Sequence, residues 1–365
     1  MDRSLLSDLH AAAGARLTSA AAPELLTYGD VPAEYRAASE GCVLFDQTDR
    51  GRLELSGADA QTFLHRITAN DVRALGVGQG QRNLLLSSKG KVLFDFDLFR
   101  LPERIVLSAS PGAHTALRAA LDTYLFAEKV LLADTTDSYA PLALLGPRAD
   151  QIVRAVGGVD APQADYSWSE GRFEAAPLRF VRQPQYGSRA IRVIAEPARV
   201  PALWKALHNA GATPAGIVVR DSLRIEAGAA LDGEDINDTV YPQEARLEHA
   251  FSLTKGCYIG QEVVAKIDTY GGLNKRLVAL KISHDDPLER GTRLHREDAG
   301  EWRDLGVITS WSYSFVLDSG LVLAYVKRRH QAAGTLFRVG DGPATATIVP
   351  LPVRATALAP TGEFE

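Results

Sequence analysis

The chain is poor in cysteine: 365 residues carry only Cys42 and Cys257. Two thiols form at most one bridge, which excludes a disulfide framework, a CxxC…CxxC zinc site and a cluster held by four thiolates of this chain. No run approaches 18 uninterrupted apolar residues, so no segment reads as a membrane-spanning helix. There is no basic excess either. Lys and Arg number 40 against 45 Asp and Glu, a formal charge of −5, and the aromatic residues do not interleave with a basic cluster. That balance excludes a dedicated nucleic-acid binder with a basic stripe, and direct nucleic-acid binding is not expected. The eight histidines (His10, His65, His114, His208, His249, His284, His295 and His330) form no HxH or HExxH pair, and no metal site is expected. Neither a GxxxxGK[ST] phosphate loop nor a GxGxxG turn occurs. The opening MDRSLLSDLHAAAGARL lacks the basic and apolar regions of a signal peptide, so the expected location is the cytoplasm.

What is present is an ordinary folded composition, 46% apolar and 23% charged, at a length that allows two or three domains of roughly 150 residues. An Ala-rich start, helical or frayed to about Leu26, precedes a strand at Arg52–Leu55, a Ser56-Gly57 turn and a helix over 58–68 with Phe63, Leu64 and Ile67 on one face. Asn83–Ser88 and Val92–Phe99 read as a hairpin, Arg104–Ser108 as a strand and 111–126 as a helix. The order then recurs: strand Pro141–Leu145, turn Gly146-Pro147, helix 148–156, strands Leu178–Arg182 and Ala190–Ala195, helix 201–209. Laying Gly146 on Gly57 puts Ala149 on Ala60, Ile152 on Phe63 and Val153 on Leu64, which suggests two related α+β units. From about Arg276 short strands (277–282, 305–310, 321–327, 335–339, 344–349) separated by Gly or Pro point to a small barrel or sandwich.

Three stretches hold residues fit for chemistry. In Val92–Phe99, Asp95 and Asp97 share one strand face, roughly 6–7 Å apart, opposite Phe94, Phe96 and Leu98. They are either paired buried acids or the solvent side of an amphipathic strand. In Val219–Gly228, a helix lines up Arg220, Leu223 and Arg224 while Glu226 falls away; the guanidiniums suit a carboxylate ligand, or the helix is exposed with local ion pairs. Lys255-Gly-Cys-Tyr-Ile-Gly-Gln-Glu262 sets two glycines around Cys257, which is either a reactive thiolate near a lysine or a small buried hydrophobe.

Leu223-Arg-Ile-Glu-Ala-Gly228, Tyr241-Pro-Gln-Glu244, Lys255–Glu262 and Asn274-Lys-Arg276 resemble the YgfZ family of folate-binding proteins, related to the glycine-cleavage T-protein aminomethyltransferase. The resemblance runs from about residue 25 to 350. It implies an α+β, T-protein-like three-domain cloverleaf: ferredoxin-like lobes at 25–140 and 141–270, the second with the KGCYIGQE loop, and a small β-barrel at 274–365. It also implies tetrahydrofolate, or a one-carbon-substituted reduced folate, as ligand, and a role in assembly or repair of iron–sulfur enzymes with links to tRNA modification. The partners it implies are iron–sulfur client enzymes or assembly proteins. By residue match the functional loop is Lys255, Gly256, Cys257, Tyr258, Gly260, Gln261 and Glu262. Cys257 and Asp95 are the expected catalytic residues, and Asp95, Arg220, Arg224, Glu226 and Tyr258 the expected folate contacts. Asp95 is the best match to the catalytic aspartate of T-proteins. The alternative activity is a folate-dependent aminomethyl transfer. Two departures count against glycine-cleavage catalysis: Gln185-Tyr-Gly-Ser-Arg189 stands where T-proteins have Gly-Tyr-Thr-Gly-Glu, and Gln47-Thr-Asp49 replaces a Ser-His. Lys266 stands where YgfZ proteins typically have arginine, keeping charge but losing bidentate geometry.

Overall fold

A computed structural model describes residues 5–19, 23–298 and 300–353, so the last dozen residues of the expected barrel segment lie outside the described residues. Among its described residues the Ala-rich start forms a short helix, α1 (Ser7–Ala12), followed by the paired strands β1 (Arg16–Leu17) and β2 (Leu25–Thr27); residues 1–4 and 20–22 of that start lie outside the described residues. Helix α2 (Val31–Glu40) begins where the Asp30 side chain accepts from Ala33 N–H, with Pro32 in the first turn, and leads into β3 (Val43–Asp46).

The first α+β lobe contains β4 (Gly51–Ser56), α3 (Ala60–Ile67), β5 (Gly80–Leu86), β6 (Val92–Arg100), β7 (Arg104–Ala109), α4 (Ala113–Asp122) and β8 (Leu131–Asp134). Its five strands run in the order β5-β6-β7-β4-β8. Leu53, Leu55, Phe96, Leu98 and Leu107 from the sheet share one core with Phe63, Leu64 and Ile67 of α3 and Leu117 and Leu121 of α4. Period 2 in the strands and period 3.6 in the helices aim these residues at one another. Gly57 permits the β4–α3 turn: its φ is +107°, and a Cβ there would sit 2.1 Å from the Lys129 carbonyl oxygen. Helix α4 is shorter than the expected 111–126, because Gly112 is left-handed (φ +75°) and the helical turns end at Asp122.

The second lobe contains β9 (Ala140–Leu145), α5 (Ala149–Gly157), β10 (Trp168–Phe173), β11 (Ala176–Gln185), β12 (Ser188–Ala195), α6 (Val200–Asn209) and β13 (Thr213–Pro214). Its sheet order is β10-β11-β12-β9-β3-β13, so β3, about a hundred residues upstream, pairs antiparallel with β9. Gly146 takes φ +132° at the same strand-to-helix turn as Gly57, and Ala149, Ile152 and Val153 are buried as Ala60, Phe63 and Leu64 are. Strand β10 gives no alternating signal because Gly171 occupies its middle. A Cβ there would lie 2.6 Å from the Gly157 carbonyl and 2.9 Å from the Phe180 ring.

By its contacts the chain divides into two compact units. Of the described residues, one unit holds those up to Leu86, Leu93–Val219 and His249–Ile259; the other holds Ser87–Val92, Arg220–Glu248 and those from Gly260 to Val353. Besides most of α7 (Ile217–Ala227), the second unit contains α8 (Gln261–Tyr270) and strands β14 (Lys275–Ile282), β15 (Arg293–Asp298), β16 (Glu301–Ser314), β17 (Ser319–Lys327), β18 (Leu336–Val339) and β19 (Thr345–Val349). These six strands close a barrel in the order β14-β17-β16-β15-β18-β19 around Val278, Leu280, Ile308, Val322, Ala324 and Phe337. Strand β15 escapes sequence reading because Arg-Leu-His-Arg-Glu-Asp offers a single apolar residue. Among the described residues no helix is long and apolar enough to cross a membrane.

Candidate functional site

The Lys255–Glu262 block is divided at Ile259 between the two units. Lys255–Ile259 folds onto the first lobe. Ser252 N–H donates to the Ala69 carbonyl at 2.9 Å, Asn70 Nδ2 donates to the His249 carbonyl at 3.1 Å, and Ile259 joins the core beneath α3. Lys255 Nζ donates to the His65 carbonyl and lies 5.0 Å from the centre of the buried Tyr258 ring. Burial lowers the Lys255 pKa to about 8; Arg73 adds to the effect and Asp71 opposes it. The imidazole of His65, buried with Nδ1 3.2 Å from Asp71, is likewise pushed down, first by burial and then by Lys255. Gly256 takes φ +97°, and this turn leaves the Cys257 thiol exposed, whereas Cys42 is buried. An exposed thiol two residues from an amine that gives up its proton near pH 8 can attack an electrophile or ligate a soft ion.

From Gly260 onward the block belongs to the second unit and begins α8. Gly260 is left-handed (φ +78°), and a Cβ there would fall 2.4 Å from the Ser87 carbonyl oxygen and 2.9 Å from Gly90 Cα. Lys91 Nζ lies 3.1 Å from the Tyr241 ring centre and 3.7 Å from Glu244, and Gln243 Nε2 donates to the Val264 carbonyl at 2.9 Å. Three stretches far apart in sequence, Gly90-Lys91, Tyr241–Glu244 and Gly260–Val264, therefore meet. Glu262 is exposed and bonds Lys266 at 2.6 Å, an i,i+4 pair that uses only the single charge left by the missing arginine.

Asp95 and Asp97 share the β6 face opposite Phe96 and Leu98, but that face is not solvent: they are 8% and 7% exposed. Arg82, on the neighbouring strand β5, donates from Nε to Asp95 Oδ1 at 2.8 Å and also engages Oδ2. Burial works against the Arg82 charge, but Asp95 and then Asp97 raise its pKa above arginine's ordinary value. Asp97 lies 3.8 Å from both Arg50 and Arg192. No sequence signal marked Arg82 or Arg192, because the sheet, not chain proximity, supplies the pairing.

On α7 the polar side chains point inward. Ser222, Arg224 and Glu226 bond Ser312, Ser310 and Ser314 at 3.0, 2.9 and 2.7 Å, three serines on one face of β16. Arg224, 1% exposed, also donates to Asp221, Asp235 and Glu234 at 2.7–2.8 Å. Arg220 pairs with Asp221 at 3.0 Å. The expectation of an exposed helix with local ion pairs is corrected: Arg224 and Glu226 are both buried against the barrel, on different serines of β16 that satisfy them. Glu234 and Asp235, the latter 0% exposed, are acids of this cluster that sequence reading missed.

The two departures from the T-protein pattern meet. Gln47 Nε2 donates to Gln185 Oε1 at 2.8 Å and to the Tyr186 hydroxyl at 3.2 Å, while Arg192 Nε donates to Gln47 Oε1 at 3.3 Å. Arg189, at the position of the T-protein glutamate, instead pairs with Asp165 at 2.9 Å with its side chain half exposed.

With this geometry in place, residues 6–255 match the model for the GCVT N-terminal domain and residues 275–353 that for the glycine cleavage T-protein C-terminal barrel domain. The chain belongs to the glycine cleavage T-protein family. It is 30% identical over 354 residues to an aminomethyltransferase of Rubrobacter xylanophilus, covering 96% of this chain and 93% of that one. It is 31% identical over 347 residues to an aminomethyltransferase of Saccharopolyspora erythraea, covering 92% of each. The crystal structure of glycine cleavage system aminomethyltransferase T from Bartonella henselae matches with a TM-score of 0.85 at 25% identity, covering 96% of this chain and 97% of that one. The two-lobe-plus-barrel architecture is thus the T-protein family's. The family match is coarser than the YgfZ resemblance and does not separate the two branches.

Proposed function

We propose that this chain binds a reduced folate and handles its one-carbon unit, as an aminomethyltransferase-type transferase of the T-protein family. The observation that carries this reading is the likeness to proteins named aminomethyltransferase across more than nine-tenths of both chains. Two side chains of the first unit have chemistry that such a ligand uses. A carboxylate has about four lone-pair positions, and Arg82 occupies only part of those on Asp95, leaving acceptors for the N–H groups of a pterin. Tyr258, beside Lys255, supplies an aromatic ring of the kind that packs against a pterin. A folate would supply the carrier nitrogens for the one-carbon unit; the protein's part is to bind and orient, with Asp95 as acceptor. Arg224 and Glu226 serve to hold α7 on β16, since their polar atoms are already engaged there.

A second reading, a YgfZ-type factor for iron–sulfur enzymes, is supported by the exposed Cys257 in Lys-Gly-Cys and by Arg189 where T-proteins carry glutamate. Anaerobic calorimetric titration with tetrahydrofolate tests what both readings share: saturable binding that weakens in Asp95→Asn is expected, and no binding by the folded protein refutes it. A glycine-cleavage assay with lipoylated carrier protein then separates them. Turnover lost in Asp95→Asn supports transfer. No turnover, together with loss of iron–sulfur enzyme activity in cells carrying Cys257→Ala, supports the second reading.

A further inference from the structure

Within the first unit, β4 and β7 of one lobe and β9 and β12 of the other bound a cavity of about 30 Å³. Such a volume holds one or two waters or one small ion, far below the several hundred Å³ of an organic ligand pocket. Its lining is unusual in charge: Arg50, Arg52 and Arg192 all border it, with Ser108 and Tyr139. The three guanidinium side chains are 20%, 9% and 3% exposed.

The carboxylates in contact do not balance these cations. Asp97 stands 3.8 Å from both Arg50 and Arg192, longer than a close charge-assisted bond. Glu54 is shared between Arg52 at 2.7 Å and Arg104 at 3.4 Å. Among the described residues, two carboxylates thus answer the three cavity guanidiniums, one of them shared with the partly exposed Arg104; Arg52 also lies 4.1 Å from the Tyr139 ring centre, so the shortfall falls on Arg50 and Arg192, and an uncompensated buried cation is costly. Burial, and next the neighbouring Arg50, lowers the Arg192 pKa to about 10. Ser108 adds a donor. Its Oγ accepts from Arg50 Nε at 3.3 Å and from Arg192 Nη1 at 3.1 Å, so both lone pairs are used and its O–H is left to donate.

We propose that this cavity between Arg50, Arg52, Arg192 and Ser108 is a binding site for a small monovalent anion, chloride or a carboxylate no larger than formate. The anion ties together the two sheets that bound the cavity and offsets the surplus positive charge. The site is independent of the folate reading: it is too small for a folate, and nothing in it depends on catalysis.

Crystals of the full chain grown without halide and soaked in bromide test the site directly. An anomalous bromide peak within hydrogen-bonding distance of Arg192 and Ser108 is expected; peaks confined to the exposed surface overturn the proposal. In solution, thermal unfolding is followed in sodium chloride, formate and gluconate at constant ionic strength. A saturable rise in melting temperature in chloride or formate, absent in gluconate, is expected, and the ion that saturates first identifies the occupant. An equal response in all three salts overturns it. Ser108→Ala should weaken the saturable response, and it keeps the test open if Arg192→Met does not fold. Asp97→Asn should lower the half-saturating concentration roughly tenfold by removing the carboxylate that competes with the anion for Arg50 and Arg192; an unchanged or higher value contradicts the charge argument.

Discussion

Replacing Arg224 with methionine keeps most of an unbranched stem and removes a guanidinium that three carboxylates share. Glu234 is 39% exposed in its side chain and rehydrates, and Asp221 keeps Arg220 at 3.0 Å. Asp235 cannot: its side chain is 0% exposed, and although Thr309, Ser310 and the Leu231 N–H still donate to it, its counter-charge is gone. Removing one partner of a buried pair typically costs about 3–5 kcal/mol, and the remaining donors place this case near the lower end, about 3 kcal/mol. At about 2–4 °C per kcal/mol for a cooperative unit of 150–250 residues, the melting transition that includes the barrel should fall by roughly 6–12 °C. Scanning calorimetry of the full chain reads this. The double variant Arg224→Met, Asp235→Asn should lose less than the sum of the two single variants, because each single change strands the other's charge. A shift below about 2 °C for Arg224→Met, or strict additivity in the double variant, refutes the assignment of Arg224 as the charge that holds α7 to the barrel.

Asp95→Asn strips Arg82 of a two-point partner at a partly buried position; a loss of about 2 kcal/mol in denaturant unfolding is expected, alongside the folate defect. Lys255 should be acylated with a midpoint near pH 8 rather than lysine's ordinary 10.5. Because its folded pKa lies below the unfolded one, the unfolded chain binds more protons between these values, and this residue's contribution to stability rises with pH across that window. A labelling midpoint above 10 contradicts the burial argument. Native protein should expose one thiol to a disulfide reagent, Cys257; Cys42, buried and pushed up to about 12 by that burial, should react only on unfolding. Gly260→Ala forces a Cβ against the Ser87 carbonyl at a left-handed φ and should cost at least about 1–2 kcal/mol, measurable by urea unfolding.

Much of the fold is legible along the chain because local pattern and local structure agree. Alternation in Arg52–Leu55 and Val92–Phe99, helical spacing of Phe63, Leu64 and Ile67, and the Gly57 and Gly146 turns each specify their element from neighbouring residues alone. Elements lacking such a pattern, β10 around Gly171 and the charged β15, emerge only where a neighbouring strand supplies the pairing.

The sequence by itself determined that two related α+β units precede an all-β segment, that Asp95 and Asp97 share a face, and that Lys255–Glu262 is a glycine-bounded block, whereas closure of that segment as a barrel rather than a sandwich is seen in the structure. Those properties depend on residues a few positions apart. Only the tertiary structure decided which charges are partnered: Arg82 with Asp95, Arg224 with Asp235, Gln47 with Gln185, and Arg192 with Ser108 across the cavity. The separations here run from eleven residues to well over a hundred. No periodicity reports on them, because burial and sheet register, set by the whole fold, choose which polar groups must find each other away from water.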